Sequence, residues 1–576
     1  MGSQVAVKTC LILTCLALGL WTPKGIYAAP QIPENTMQAA YSGGYQEIKK
    51  PLESEIIRVG IGDNSFSKYF YTRTTIYGTS EIKIYENGIF IGSLPANQNL
   101  NVKTESGMIT LYKDDGTVLE ESTGPYTITC DSGLLGVRGL RRAGGNALYR
   151  GALEIVQYNQ NTFHIVNVIE LEEYLKGVVP NEMPVRFGLE ALKAQSVAAR
   201  NYVLSPRTKA YTAFDVVDSV ASQVYFGANS EKQLGTQAVE ETEGIVALYD
   251  WDLILAQYSS TAGGYTESFA YAFSDPNTKA FPSDDKPYLH AKPDILSQTP
   301  LNTEEDAAAY YKSRPDSFDV RSPYFRWTKN WTREELQKTL ERTLIEQSTT
   351  GFVHPRFNRG EKLGEITELK VLRRGDSGKI IEMEVVTKDK TYKIWKELVI
   401  RRLLVNQGKA LPSANVVFEH QWDADGNLLT VTAYGGGYGH GVGMSQYGAG
   451  FMGSEMYQSY DKILKHYYSG ITLGTKPFIL SFENKNVTQN FYLNKRKANL
   501  IVDNKYQLSE LPVVINGKEK IISLDKSVLP SKRVNRIDIS RFVKFGHNSV
   551  TFYYPENEGE NKALRIFIEA EERDDS

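Results

Sequence analysis

Apolar and polar residues alternate with a period of two along much of the first third of the chain, and that period predicts strands. Ile56-Ile57-Arg58-Val59-Gly60-Ile61-Gly62 is the first such run. Ile82–Tyr85 and Ile89–Ile91 are two more, split by Glu86-Asn87-Gly88, and an Asn-Gly between alternating runs predicts a hairpin. Asp114-Asp115-Gly116 repeats the signal after Ile109–Tyr112, and strands are expected again at Tyr149–Ile155 and Phe163–Val168. His164, inside the last of these runs with no Cys or second His nearby, reads as a packed histidine rather than a metal ligand.

The period then lengthens. Leu171–Leu175 reads as a helical turn, and Gly188–Tyr202 as a strong helix, with four alanines and no Gly or Pro after Gly188. Lys193 and Arg200, seven residues apart, share one face of it. Between turn and helix stands Glu182, flanked by Pro180 and Pro184. Each proline fixes its own φ and biases its predecessor away from the helical region, so Glu182 is expected on a short stiff loop.

Further on, residues 214–227 and 244–257 have mixed or strand character. Helices are expected at 302–313 and 332–343, the second with a Thr332/Glu335 capping box. Residues 366–405 read as β, and 459–468 as a helix closed by Gly470. After about Leu473 the chain becomes Lys- and Asn-rich with short alternating runs at 513–517, 537–540 and 546–552, like a small carbohydrate-binding β-sandwich, and ends in an acidic tail. The fold class expected is α+β: a mixed body with a β-rich N-terminal part, then a β-sandwich-like module. The divisions read as 1–29 leader, 30–51 linker, 52–474 body and 475–576 C-terminal module.

Lys8 followed by the apolar run 9–21 and the small residues Ala28-Ala29 has the form of a secretory signal, too short to cross a bilayer as a helix. Its removal takes Lys8 and Lys24 and shifts the formal net charge from -3 to -5. Cys10 and Cys15 leave with it, so the exported chain keeps only Cys130 and forms no internal disulfide. No later run is apolar enough to be transmembrane. Without a basic stripe, nothing points to nucleic acid. The 35 tyrosines suit strands as well as sugar-lined grooves.

Two glycine-rich stretches carry candidate chemistry. Tyr258-Ser259-Ser260-Thr261-Ala262-Gly263-Gly264 follows an apolar strand, where hydroxyls and bare N–H groups suit a ligand's hydroxyls or an anion. Residues 434–450 hold eight glycines around His440, Ser445, Gln446 and Tyr447. No Gly-Lys-Ser/Thr follows, so this is no phosphate loop; it reads as a loop that lets backbone approach a ligand. A plain turn is the competing reading of both.

Residues 171–184 followed by 189–200 resemble the signature of the stage II sporulation protein D and LytB family, and 258–264 and 439–449 resemble its other two blocks. Ile463–Gly470 is similar to its closing helix. The resemblance implies a cell-wall protein, secreted and wall-associated, whose sporulation members are lytic transglycosylases on peptidoglycan glycan strands, preferring strands stripped of stem peptides. Other members were named amidase enhancers, which makes a wall amidase the alternative partner. The family's catalytic glutamate falls on Glu182 and its basic helix residues on Lys193 and Arg200. Gln195, Ser260, Gly263, Gly264, His440, Ser445, Gln446 and Tyr447 complete the expected substrate contacts. Some members carry zinc in a Cys-Asp-x-x-His-Cys-Gln segment; the matching Val217–Gln223 has lost both cysteines and the histidine, so no zinc and no other cofactor is expected.

The implied reaction needs one carboxyl: Glu182 protonates the oxygen leaving muramic acid C1, and the sugar's own 6-hydroxyl closes a 1,6-anhydro ring. Two rivals remain: a non-catalytic enhancer or wall-binding protein, and a hydrolase drawing a second carboxylate from Glu170, Glu172, Glu173 or Glu267.

Overall fold

The structure, a computed structural model, describes residues 55–205, 211–295, 301, 303–526, 533–555 and 562–570. The expected leader, the linker and most of the acidic tail lie outside them. The chain forms two compact units, one from residues 55–177 and 211–230, the other from 178–205 and 231–570. Both strands and helices are abundant, as an α+β chain requires, and the N-terminal part is β-rich.

The first unit holds two antiparallel-dominated sheets. One has seven strands in the order Val216–Val217, Ile56–Gly60, Thr162–Glu170, Ala152–Asn159, Tyr126–Cys130, Ile82–Glu86, Ile89–Leu94. The other has six: Gly145–Tyr149, Leu135–Arg142, Arg73–Gly78, Leu100–Glu105, Met108–Tyr112, Val118–Ser122. Alternation is the reason they form: Ile82 and Ile84 in one sheet, Leu100 and Val102 in the other, are buried while their neighbours are not. The Asn-Gly hairpin closes as expected, Glu86 opposite Ile89, with Asn87 at φ 47° and Gly88 at φ 82°, the left-handed pair that a two-residue turn demands. Of residues 214–227, expected to have mixed or strand character, only Val216–Val217 is strand.

In the second unit, the helix Leu189–Leu204 is buried almost all round. Its alanines permit this, because small side chains let the helices Val179–Glu182, Gln233–Glu240, Gln446–Ser454 and Tyr460–Tyr467 and the strand Ile245–Tyr249 pack against it from several directions. A separate core gathers the helix Arg333–Ser348, through Leu336, Leu340 and Leu344, onto strands carrying Ile366, Met383, Ile394 and Val431. That helix begins at the expected capping box: Thr332 Oγ1 accepts from Glu335 N at 3.2 Å and Glu335 accepts from Thr332 N at 3.0 Å.

The strands after residue 474 are joined to this body. Ile245–Tyr249 pairs with Thr472–Thr475, which pairs with Ala563–Ala570, then Ala498–Asp503 and Val534–Asp538, in one sheet. Val246 and Leu248 share an apolar cluster with Ile501 and Phe567. A second sheet of Asn486–Leu493, Gly546–Tyr553, Glu510–Ile515 and Lys518–Ser523 accompanies it.

Candidate functional site

Glu182 closes a single helical turn, Val179–Glu182, rather than lying on the expected loop. Pro180 is tolerated because the first helical N–H groups have no intrahelical partner, so its missing donor is not felt. Asn181 N and Glu182 N both donate to the Val178 carbonyl, at 2.9 and 3.0 Å. Pro184 ends the turn by forcing Met183 to φ -127°, ψ 126°. Met183 is buried while Glu182 is half-buried, so the turn is anchored through Met183 with its acid partly open to solvent.

A short 3-10 turn, Val185–Phe187, links this acid to the long helix. It carries two residues that the sequence reading passed over. The exposed Arg186 donates through Nη2 to the Tyr447 hydroxyl at 3.4 Å, and the Phe187 ring meets the Tyr447 ring edge-on at 4.8 Å. A lone cation in a Pro-to-Gly loop four residues from a candidate acid is the signal that would have found Arg186.

The glycine-rich stretch is a loop only in its centre, residues 436–443, and regular elements take both flanks. Leu428–Gly435 is a strand, Met444–Ser445 pairs in parallel with Tyr258–Ser259, and Gln446–Ser454 is a helix. Ser445 caps that helix, its Oγ accepting from Gly448 N and from Ala262 N, each at 3.3 Å. Glycine serves close packing here: a Cβ at Gly448 would stand 2.1 Å from the Tyr467 hydroxyl, and one at Gly450 2.8 Å from the Phe187 ring.

The expected contacts divide. Gln195 and Gln446 meet directly, Gln446 Nε2 donating to Gln195 Oε1 at 3.1 Å; Gln195 Nε2 is buried with no hydrogen-bond partner among the described residues. Ser260 is half-buried, and its carbonyl accepts from Tyr447 N at 3.1 Å. Gly263 and Gly264 are enclosed: Gly263 N donates to Asp319 at 2.6 Å, its carbonyl accepts from Tyr310 and Arg326, and a Cβ on Gly264 would be 1.8 Å from the Tyr310 hydroxyl.

Lys193 and Arg200 turn toward the segment 241–245. The Lys193 ammonium reaches Glu241 at 2.6 Å, Glu190 at 3.0 Å and Asn494 Oδ1 at 3.1 Å. Burial alone would lower its pKa, but the hydrogen bond and charge of these two carboxylates hold it above the usual lysine range. Arg200, 1% exposed, donates to the Ile245 carbonyl at 2.9 Å, and beside it Asn201 brackets Ala247 through both its N–H and its C=O. These side chains fasten the helix to the sheet.

His440 is tied down as well. Its Nδ1 accepts from Val442 N at 3.0 Å, which places the ring proton on Nε2, and the ring packs on Phe273. Burial, then the positive charges of Lys379 and Arg401, press its pKa down to about 3, so the imidazole is neutral. Glu267 lies nearby on the same scaffold, buried and accepting from Ser268 N, Asp376 N and Ser377 Oγ; burial pushes it up to about 7.

In the first unit, Val217–Gln223, the stretch matching the family's metal-bearing segment, holds an ion pair. Asp218 accepts from Arg142 Nη2 at 2.7 Å and Nε at 3.1 Å, and from Gly62 N at 3.0 Å. Among the described residues no three His, Cys, Asp or Glu side chains converge as metal ligands, and no helix is long and apolar enough to cross a membrane.

A sequence profile described as Stage II sporulation protein matches residues 159–249, which contain Glu182 and the long helix. A second, described only as a domain of unknown function, matches residues 275–443. The chain is 32% identical over 343 residues to stage II sporulation protein D of Bacillus subtilis, covering 57% of this chain and 80% of that protein. Its counterpart in Bacillus amyloliquefaciens is 29% identical over 334 residues, 55% of this chain and 78% of that protein. An amidase enhancer of Bacillus subtilis is 32% identical over 319 residues, 52% of this chain but only 40% of that longer protein.

Proposed function

This chain belongs to the stage II sporulation protein D family, and on that premise we propose that it is an exported lytic transglycosylase of peptidoglycan. The substrate is the glycan backbone, in strands free of stem peptides, and the setting is sporulation or wall remodelling. The observation that carries the reading is Glu182: a half-buried acid on a turn between two prolines, four residues before Arg186, whose guanidinium meets the Tyr447 hydroxyl.

Glu182 enters the reaction protonated and gives its proton to the oxygen that leaves muramic acid C1. As that bond breaks, positive charge develops on C1 and its ring oxygen. The 6-hydroxyl of the same sugar attacks C1, and Glu182, now a carboxylate, takes the hydroxyl proton. One glycosidic bond is exchanged for one 1,6-anhydro bond, no water is consumed, and the acid is regenerated. The buried Glu267 is committed to internal donors, which favours this one-carboxylate route over hydrolysis by a carboxyl pair. With Lys193 and Arg200 held within the fold, Arg186 is the cation we assign to the lactyl carboxylate, a guanidinium being suited to a planar, two-pronged contact. Tyr447 and Ser260 are the neighbouring contacts, while Gln446 is buried against Gln195.

The test is mass spectrometry of the products from stem-peptide-free glycan. Wild type should yield 1,6-anhydro ends and Glu182→Gln should be slower by at least about 100-fold, the usual weight of a general acid. Reducing ends would instead mean hydrolysis. The name of the amidase-enhancer relative favours a second reading, a glycan-holding partner of a wall amidase. It would be adopted if neither protein cuts and both still bind.

A further inference from the structure

The first unit has a crevice of about 330 Å³, remote in sequence from Glu182 and from both glycine-rich stretches. It opens where two strands part. Arg73–Gly78 pairs with Leu135–Arg142 only from Ile76 opposite Val137 to Gly78 opposite Leu135. Beyond that register Arg73–Thr75 and Arg138–Leu140 diverge and become its walls, with Tyr71 and Tyr112 also lining it. Gly139, at φ 77°, leaves open space where a side chain would stand.

The crevice is built. Asn64 staples one lip, donating to the Gly139 carbonyl at 3.0 Å and accepting from Arg141 N at 2.8 Å. Arg138 lies over the Tyr77 ring at 3.6 Å and donates through Nε to Asn99 Oδ1 at 3.1 Å and through Nη2 to the Asn97 carbonyl at 3.5 Å, so its guanidinium is oriented, with Nη1 left for a ligand and no carboxylate among the described residues to neutralise it. Arg73 is exposed, and its guanidinium makes no hydrogen bond or ion pair among the described residues. The one lining acid, Asp63, is occupied by its own turn: Ser65 and Ser67 donate to it through N–H and hydroxyl groups at 2.8–3.1 Å. Two guanidinium groups without acid partners thus share a small crevice with two tyrosines. Guanidinium recognises carboxylate through paired hydrogen bonds, and a tyrosine ring offers a face to a pyranose. The volume lies at the lower end of small-ligand sites, about 300–1,000 Å³.

We propose that this crevice is a second glycan-binding site, specific for strands that carry carboxylates, with Arg73 and Arg138 on the carboxylate and Tyr112 against the sugar. The proposal rests on the peptidoglycan reading for the identity of the strand.

Hydrogen exchange on the full chain carrying Glu182→Gln tests it, with three probes: oligomers of N-acetylglucosamine and N-acetylmuramic acid with free lactyl carboxylates, chitin oligomers of equal length, and free stem peptide. The acidic oligomers should protect segments 73–75 and 138–140. Arg73→Glu, which removes no contact of the fold, should weaken that protection about tenfold in concentration and leave protection at 182–188 unchanged. Equal protection by chitin oligomers would remove the carboxylate from the argument. Protection by stem peptide alone would make the occupant a peptide, and no protection by any probe would end the proposal. Product analysis of the wild-type chain reads the function of Glu182 separately, so either idea can fail without the other.

Discussion

At the scale of single residues, the charges on the long helix belong to the fold. Lys193 is 5% exposed and ties the helix to Glu241 and Asn494. Lys193→Ala should therefore lower stability by about 2 kcal/mol, less than for a fully buried pair because both carboxylates are partly solvated. A shift of the urea midpoint with KM unchanged is the expected pattern; a raised KM at unchanged stability would return Lys193 to the substrate. His440 gives a pH dependence. Its imidazole is held near 3 in the folded chain, against about 6.5 when unfolded. Between those values the unfolded chain binds the extra proton, so this contribution is complete above about pH 6.5 and is lost as pH falls, at up to about 1.4 kcal/mol per pH unit. Asn in place of His440 keeps an acceptor for Val442 N and cannot take that proton. Wild type should lose more stability than His440→Asn between about pH 7 and about pH 4.5, and parallel curves would refute the assignment.

At the scale of elements, what the sequence made legible was local. The Asn87-Gly88 hairpin, the Thr332/Glu335 box and the alanine-rich helix each follow from residues within a few positions of one another, and each is present. The helix Gln446–Ser454 was hidden because glycine disfavours helices in isolation, and only the distant Tyr467, Asp294 and Phe187 explain its glycines. The strand Val416–Trp422 buries only its first two residues, so it lacks the alternation that marks a strand. In the site the motif residues were legible, but not their direction: Lys193 and His440 face inward beside partners far away in the chain, Asn494 for one and the Phe273 ring for the other. Gly448→Ala tests the packing account. A methyl 2.1 Å from the Tyr467 hydroxyl and 2.7 Å from an Asp294 oxygen must displace them, costing about 1–3 kcal/mol. Gly453→Ala, whose nearest neighbour would be Ala191 N at 3.3 Å, should be close to neutral, since the helical gain of alanine offsets the tighter contact. Equal melting temperatures for the two variants would mean the glycines serve something other than packing.

At the scale of the molecule, the strands after 474 and the helix behind Glu182 depend on one another. The strand Ile245–Tyr249, to which Arg200 and Asn201 are fastened, is two strands away from Ala563–Ala570 in the same sheet. Its outward residues Val246 and Leu248 are covered by Ile501 and Phe567. Backbone bonds reinforce the join: Tyr492 N donates to the Glu243 carbonyl at 3.0 Å, and Gly244 lies so close to Asn490 that a Cβ would stand 2.1 Å from its carbonyl oxygen. A chain ending at residue 474 would expose this cluster, leave a sheet edge unpaired and strip Lys193 of Asn494. Such exposed edges and apolar surface drive association. The shortened chain should therefore be recovered as aggregate or melt far below the full chain. Were it instead a soluble monomer with the full chain's melting temperature and the same glycan products, residues 475–576 would be an appended module, and the coupling of the helix Leu189–Leu204 to the C-terminal sheet would have no energetic weight.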